Sequence, residues 1–174
     1  MLHFRVNRMK SCSFFGHRDT PKTEELKQKV RITVERLIVE DGVDTFLFGS
    51  RSKFDELCHM VVTELKEKYP HIRRVAYLCR HEGGCLVGTG DGMRRAIKRV
   101  TGRDEYVREF EEIKKSDRID SAGRAAYVER NQWMINNSEI AVICACLEKM
   151  RRRKSGTMLA FSYAQEKNRK VVCL

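Results

Sequence analysis

The chain has 174 residues, 41% hydrophobic and 34% charged, a balance that is typical of one globular domain with its own core and not of a disordered chain. No apolar run approaches the roughly 20 residues that cross a bilayer, and the basic start lacks the apolar segment of a signal peptide, so we expect a cytoplasmic protein with no membrane partner. The net charge of +11 favours anionic partners, either nucleotides or nucleic acid.

The cysteine pattern argues against a metal site. The seven cysteines form no CxxC pair and show no zinc-finger spacing, so neither a metal nor another cofactor is predicted. Most of them fall in apolar segments, which favours reduced thiols buried in a core, whereas Cys85 lies in a glycine-rich stretch and is predicted to be the most exposed. Five cysteines are predicted to lie on strands: Cys12, Cys79, Cys144, Cys146 and Cys173.

Strands and helices alternate in the first half of the chain, after a predicted basic arm over residues 1–10. Short apolar runs predict buried strands, and apolar residues spaced three and four apart predict amphipathic helices. Thr20 and Pro21 suit the start of the first helix. In order, the predicted elements are strand 11–15, helix 20–41, strand 45–48, helix 54–65 and strand 74–79. This order predicts parallel strands with helices on the faces of the sheet.

Residues 80–120 interrupt the alternation and are predicted to form an insertion or lid, because they hold too few large apolar residues for a core of their own. Within them, residues 93–100 and 105–115 are predicted to be helical. The glycine-rich run at 88–92 favours a plain loop over a phosphate cradle, since it lacks the Lys-Ser/Thr ending of a P-loop. The alternation then resumes with helix 122–137, strand 139–146, helix 155–167 and strand 170–174.

The whole chain is therefore predicted to be one α/β domain, a three-layer sandwich around a mostly parallel five-stranded sheet with a loop and helix insertion. The expected strand order is 3-2-1-4-5. In such open sheets ligands bind at the carboxyl ends of the strands, where the order reverses. We therefore expect a ligand between the loops after the first and fourth strands.

Three segments near this edge carry residues suited to bind an anion, and each also has a purely structural interpretation. Gly16-His17-Arg18 supplies close backbone approach, donors and charge, or is a tight turn with two solvated side chains. Ser155-Gly156-Thr157 presents backbone N–H groups at a helix start, or is an ordinary N-cap. One helix face could read a phosphate and a base, or could simply face solvent, and it carries Arg124, Tyr127, Arg130 and Asn131.

Four motifs, in their order along the chain, resemble the SLOG superfamily of Rossmann-like proteins. They are GHR after the first strand, GSRSKFD after the second, YVERNQ on the helix before the fourth strand and SGT before the last helix. The pattern is most similar to the small bacterial SLOG proteins of unknown function, and it covers about residues 11–80 and 121–174. The resemblance implies a Rossmann-like fold and a sensor or binder of a nucleotide or nucleotide-derived ligand.

By this resemblance, ten residues form the ligand-binding rim. Its glycines allow close approach, Arg18 and Arg130 neutralise phosphate, and Asp55 accepts ribose hydroxyls. Phe54 could pack against a base, although its position in the helical repeat favours the core. The implied rim consists of Gly16, His17, Arg18, Gly49, Ser50, Asp55, Arg130, Asn131, Gly156 and Thr157.

Two alternative functions come from other members of the superfamily. Its phosphoribohydrolases carry Pro-Gly-Gly-x-Gly-Thr-x-x-Glu, whereas the stretch from Arg153 to Ala160 here departs from that signature and lacks its glutamate. The related deoxyribosyltransferases carry a nucleophilic glutamate, and Ala160 stands near its place. N-glycosidic chemistry needs a carboxylate, for which Asp55 and Glu56 are weak candidates, so a binder without catalysis is the favoured expectation. The DNA-processing protein DprA, together with the basic charge, suggests nucleic-acid binding through a basic surface. Family members also often self-associate, so a homo-oligomer is a further expectation, although no stretch here identifies an interface.

Overall fold

The computed structural model describes residues 9–49, 52–79, 87–88, 108–116, 123–145 and 155–174. Some of the sequence-based predictions fall outside these residues. They concern the arm over residues 1–8, the rim residue Ser50, most of the insertion with helix 93–100, and the cysteines Cys85 and Cys146.

Within these residues the chain forms four helices and eight strands. The helices are α1 (Glu24–Val39), α2 (Lys53–Lys68), α3 (Arg124–Asn136) and α4 (Gly156–Glu166). The strands are β1 (Lys10–Gly16), β2 (Val43–Phe48), β3 (Arg73–Leu78), β4 (Val87–Gly88), β5 (Arg108–Glu109), β6 (Glu112–Lys115), β7 (Ile140–Cys144) and β8 (Lys170–Cys173). None of these four helices is both long and apolar enough to cross a bilayer.

Six strands form one parallel sheet in the order β6-β3-β2-β1-β7-β8. The predicted order 3-2-1-4-5 is confirmed for β3, β2, β1, β7 and β8, and β6 adds a sixth strand at one edge. β1 lies in the middle, where Cys12 is in register with Phe46 on one side and Ile140 on the other. This topology places the carboxyl ends of β1, β2 and β7 side by side.

The predicted helix over residues 105–115 is wrong for its described part. Residues 108–109 form a short parallel ladder with β4, and residues 112–115 pair with β3. Glutamate and lysine have high helix propensity, but a free edge of a parallel sheet offers this segment a full row of backbone hydrogen bonds. Glu112 and Lys114 are half-buried while Ile113 and Lys115 are exposed, an alternation that belongs to a strand.

The core consists of two apolar layers, one on each face of the sheet. Phe14, Phe46 and Phe48 point to the layer under α1 and α2, where the ring of Phe14 stacks against the rings of the other two. Phe15 and Leu47 point to the opposite layer under α3 and α4. Continuous apolar strands of this kind are expected where both faces of a parallel sheet are covered, so the three-layer prediction is confirmed.

Helix α1 begins later than predicted. Thr23, not Thr20, is its N-cap, and the Thr23 side chain accepts a hydrogen bond from the N–H of Leu26 at 3.2 Å. Thr20 instead donates its hydroxyl to the carbonyl of His17 at 2.8 Å, which closes the turn after β1. Either threonine is a good capping residue. The hydroxyl of Thr20 is engaged in the turn after β1, and Thr23 is therefore the residue that caps α1.

The described cysteines are free thiols, and three of them lie in the core. Burial raises the pKa of Cys12 and of Cys58 well above the ordinary thiol value, so both thiols are protonated and inert. Cys173, predicted to be buried with the others, is exposed on the edge strand β8. An edge strand has a neighbour on one side only, which explains the difference.

The burial of His59 predicts that the free energy of unfolding falls at acidic pH. His59 is 1% exposed and packs against Phe48 and Phe110, and its Nε2–H donates to the carbonyl of Glu109 at 2.8 Å. Burial lowers the pKa of His59 to about 3. Because an unfolded histidine has a pKa near 6.5, protons bind the unfolded state first, and lowering the pH from 7 to 4 should cost about 3 kcal/mol of unfolding free energy through this group.

Urea unfolding at the two pH values measures this cost. In His59→Gln, whose amide can still donate to Glu109, the loss between pH 7 and pH 4 should shrink by that amount. An unchanged loss in His59→Gln would assign the acid sensitivity to the carboxylates instead.

Candidate ligand-binding cleft

A cleft of about 310 Å³ opens at the carboxyl ends of β1 and β2. Residues of α3, of the start of α2 and of the start of α4 also line it. Its lining combines apolar strand ends with polar and cationic side chains. The lining residues are Phe14, Phe15, Gly16, His17, Arg18, Gly49, Ser52, Asp55, Arg124, Tyr127, Val128, Arg130, Asn131, Met134, Gly156 and Thr157.

Nine of the ten rim residues predicted from the sequence line this cleft, and Ser50 lies outside the described residues. The helix face that carries Arg124, Tyr127, Arg130 and Asn131 also faces the cleft rather than solvent alone. Phe54, by contrast, is fully buried in the core, as its helical spacing favours. The structure thus brings four distant segments together at the predicted edge, and their role in ligand binding stays a prediction.

The charge of the cleft is positive. Among its lining residues, Arg18, Arg124 and Arg130 carry positive charge and Asp55 is the one carboxylate. Arg18 is exposed at the mouth, whereas Arg130 is 8% exposed. Low exposure reduces screening by water, so the field of Arg130 acts strongly on an anion inside the cleft.

Arg130 is held in place by its neighbours on α3 and β2. Its guanidinium lies 5.2 Å from the centre of the Tyr127 ring, and its Nη2 donates to Oδ1 of Asn131 at 3.3 Å. A Cβ at Gly49 would lie 2.8 Å from that Nη2 and 2.9 Å from Cζ. A side chain at position 49 would therefore require the guanidinium of Arg130 to shift, because that group lies directly against the backbone there.

Asp55 is buried beneath the cleft and is 4% exposed. Its Oδ1 accepts the N–H of Gly49 at 3.1 Å, and its Oδ2 accepts Nη1 of Arg108 at 2.7 Å. Burial raises the pKa of Asp55, while the charges of Arg108 and Arg130 and the Gly49 N–H oppose the rise. Each carboxylate oxygen of Asp55 therefore already accepts a hydrogen bond from the protein. These bonds favour a structural role for Asp55 over the predicted role as an acceptor for ribose hydroxyls.

Glu56, the other candidate carboxylate, does not line the cleft. Its Oε1 lies 2.5 Å from Nζ of Lys22, and both side chains are about one-third exposed. Arg108 was not among the residues predicted from the sequence to form the site, although it pairs with Asp55. No spacing in the chain links residue 108 to residue 55, because the contact depends on how the insertion returns to the sheet.

The start of α4 has the N-cap that the sequence predicts, and its role as an anion site stays a prediction. Ser155 is an N-cap whose Oγ accepts the N–H of Met158 at 3.2 Å, and the first turn carries no acidic residue. Gly156 and Thr157 also line the cleft. The positive end of the helix dipole and its remaining N–H groups therefore add to the cationic character of this site.

Gly16 has a packing role that differs from the predicted one. A Cβ there would lie 2.5 Å from two ring carbons of Phe54 and 2.6 Å from its Cβ. Phe54 sits in the first turn of α2 and has no exposed surface. The close approach at Gly16 is therefore made by α2, which fixes the distance between the end of β1 and that helix.

Gly16→Ala should consequently destabilise the chain by about 1–3 kcal/mol, the usual cost of overpacking a filled core. Gly156→Ala is the matched control, because a Cβ there meets open space and alanine at a compatible helical position stabilises by up to about 1 kcal/mol. Urea unfolding of both variants measures the difference. Equal midpoints for the two would mean that Phe54 has room to move.

No protein-family model matches the chain, and no curated protein is significantly similar to it. Within the described segments, no group of three or more histidine, cysteine, aspartate or glutamate side chains is placed to hold a metal ion. The features of the chain that bear on its function are therefore those of the cleft: its arginine side chains, the start of α4 and the aromatic and amide side chains of α3.

Proposed function

We propose that the chain binds a nucleotide or a nucleotide-derived ligand in this cleft and acts as a sensor or accessory protein rather than as an enzyme. The observation that carries the proposal is the convergence of Arg18, Arg124 and Arg130 with the start of α4 at the carboxyl edge of a parallel sheet. Open α/β sheets bind ligands at this edge. Three guanidinium groups with a helix start favour a phosphate group as the ligand's anchor.

The remaining polar groups suit the other parts of a nucleotide. The amide of Asn131 can donate to and accept from a base edge, and the Tyr127 ring offers an aromatic surface beside it. Small-molecule sites span about 300–1,000 Å³, so a cleft of about 310 Å³ favours a mononucleotide over a dinucleotide.

Membership of the SLOG superfamily is part of this proposal and is supported by the order of the four motifs. The N-glycosidase alternative is less favoured, because Ala160 occupies the place of the family glutamate and Glu56 is paired with Lys22 outside the cleft. Nucleic-acid binding remains an alternative supported by the net charge of +11. It predicts affinity that falls steeply with salt, because phosphate contacts release counterions.

Mass spectrometry of small molecules released from gently purified protein tests the proposal, together with thermal shifts in the presence of AMP, ADP, ATP, GMP and ADP-ribose. We expect one of these to be released or to raise the melting temperature, since a ligand at 100 times its Kd stabilises by about 2.7 kcal/mol. Accumulation of free base would point to the N-glycosidase. The absence of both signals, with salt-sensitive retention on DNA, would replace the proposal with nucleic-acid binding.

A further inference from the structure

Arg108 reaches the base of the cleft from the insertion. It is 6% exposed, and its Nη1 donates both to Oδ2 of Asp55 at 2.7 Å and to the carbonyl of Gly49 at 3.2 Å. Asp55 in turn accepts the Gly49 N–H. Arg108 and Asp55 therefore clamp both backbone polar groups of the residue against which Arg130 lies.

The segment that carries Arg108 is fixed to the fold at three successive residues. The carbonyl of Glu109 accepts from His59, and Phe110 packs against His59 and Phe48. The carboxylate of Glu111 then takes the guanidinium of Arg74 in a fork, with Oε1 at 2.7 Å from Nη2 and Oε2 at 3.2 Å from Nε. These anchors set the position of Arg108.

Among the described residues, two arginines act electrostatically on Asp55, and they donate hydrogen bonds to different partners. Arg108 bonds to the carboxylate, while Arg130 contributes charge from the cleft side and bonds to Asn131. A buried carboxylate that loses its partner carries a large desolvation penalty. If Arg108 were absent, Arg130 would be the remaining cation among the described residues that acts on Asp55, and its guanidinium would turn away from the cleft to relieve that penalty.

We propose that Arg108 is a positioning residue for the cleft: by holding the carboxylate of Asp55, it keeps the guanidinium of Arg130 on the cleft side, where that group can contact an anionic ligand. The inference rests on the proposed function for the identity of the ligand, and on the geometry alone for the competition between the two arginines. The role of Arg108 is then to neutralise the carboxylate of Asp55 from the side away from the cleft.

Nucleotide affinity gives the first test, with AMP as the probe in isothermal titration calorimetry. Arg108→Gln should weaken AMP binding at least 10-fold, and Arg108→Gln combined with Asp55→Asn should return it to within about threefold of the parent, because no buried charge then draws Arg130. Arg108→Lys keeps a cation beside Asp55 and should fall between the two. A double variant that binds as weakly as Arg108→Gln alone would overturn the proposal.

A second test needs no ligand and therefore separates this inference from the proposed function. Arg130→Gln should lower the urea midpoint at least twice as far in the Arg108→Gln background as in the parent, since Arg130 is then the remaining cation among the described residues that acts on Asp55. The excess should vanish when Asp55→Asn is added. Arg73→Gln, which removes a half-exposed partner of Glu112, should give equal shifts in both backgrounds.

Equal shifts for Arg130→Gln in the two backgrounds would overturn the inference whether or not any nucleotide binds. An excess shift in a protein that binds no nucleotide would leave the inference standing and remove only the proposed function. Should Arg108→Gln fail to fold, Arg108→Met provides the same comparison, because methionine keeps an unbranched side chain at this position and carries no charge. The absence of any excess in the Arg108→Met background would overturn the inference.

Discussion

Replacing both Arg18 and Arg130 with alanine should abolish nucleotide binding while the chain stays folded. Both guanidinium groups line the cleft, one at its mouth and one at its base, and hydrogen bonds to a charged partner contribute about 1.5–3 kcal/mol each. Losing two of them corresponds to at least about a 100-fold loss in affinity. Isothermal titration with the nucleotide found by mass spectrometry measures the loss, and circular dichroism checks the fold.

The matched control removes two arginines that do not line the cleft. Arg36 is exposed on α1, and Arg73 makes a half-exposed ion pair with Glu112 at 3.3 Å. Changing both to alanine lowers the net charge from +11 to +9, as the cleft variant does, but should leave nucleotide affinity within a few-fold of the parent. Equal losses in the two double variants would mean that overall charge, not the cleft, attracts the ligand.

Asp55→Ala should destabilise the chain by about 3–5 kcal/mol, because it removes the buried carboxylate that pairs with the buried guanidinium of Arg108. The two side chains are 6% and 8% exposed and lie 2.7 Å apart. Urea unfolding at pH 7 measures the loss. The neighbouring carboxylate gives the control: Glu56 pairs with Lys22 at the surface, and Glu56→Ala should cost no more than about 1 kcal/mol.

Variants of Asp55 and Glu56 also test whether either carboxylate is catalytic. Asp55→Asn keeps the shape of the side chain, so a nucleotide-hydrolysing activity that survives in Asp55→Asn would exclude this carboxylate as a catalytic group. Asp55→Ala and Glu56→Ala of equal stability would contradict the structural role assigned to Asp55. In that case the N-glycosidase alternative would regain support, since the carboxylate would be available for chemistry.

The sheet could be predicted from local patterns because its central strands are buried on both faces. Apolar runs such as Phe14-Phe15 and Phe46-Leu47-Phe48 identify β1 and β2, and the intervening helices require parallel pairing. β6 could not be predicted, since an edge strand needs no apolar run and its glutamate and lysine side chains favour a helix locally. Its pairing with β3 is a tertiary effect.

The part of the cleft formed by residues that directly follow a strand could be predicted from the sequence. The residues after β1 and β2 must meet at one edge, so Arg18, Gly49 and Asp55 could be placed together from the sequence. The reasons for individual residues were not predictable. Gly49 admits a guanidinium and Asp55 holds Arg108, and both facts depend on side chains from distant segments.

The central position of β1 also determines how the chain can reach its fold. The N–H of Ser11, on β1, donates to the carboxylate of Glu139, 128 residues later, and β1 pairs with β7 along its whole carboxyl half. Closing so long a loop is slow. During synthesis at about 5–20 residues per second, β1 can pair with β2 early, but its other edge stays open for on the order of ten seconds. Those unpaired backbone groups are a template for wrong strands, so the nascent chain is most prone to aggregate in this interval.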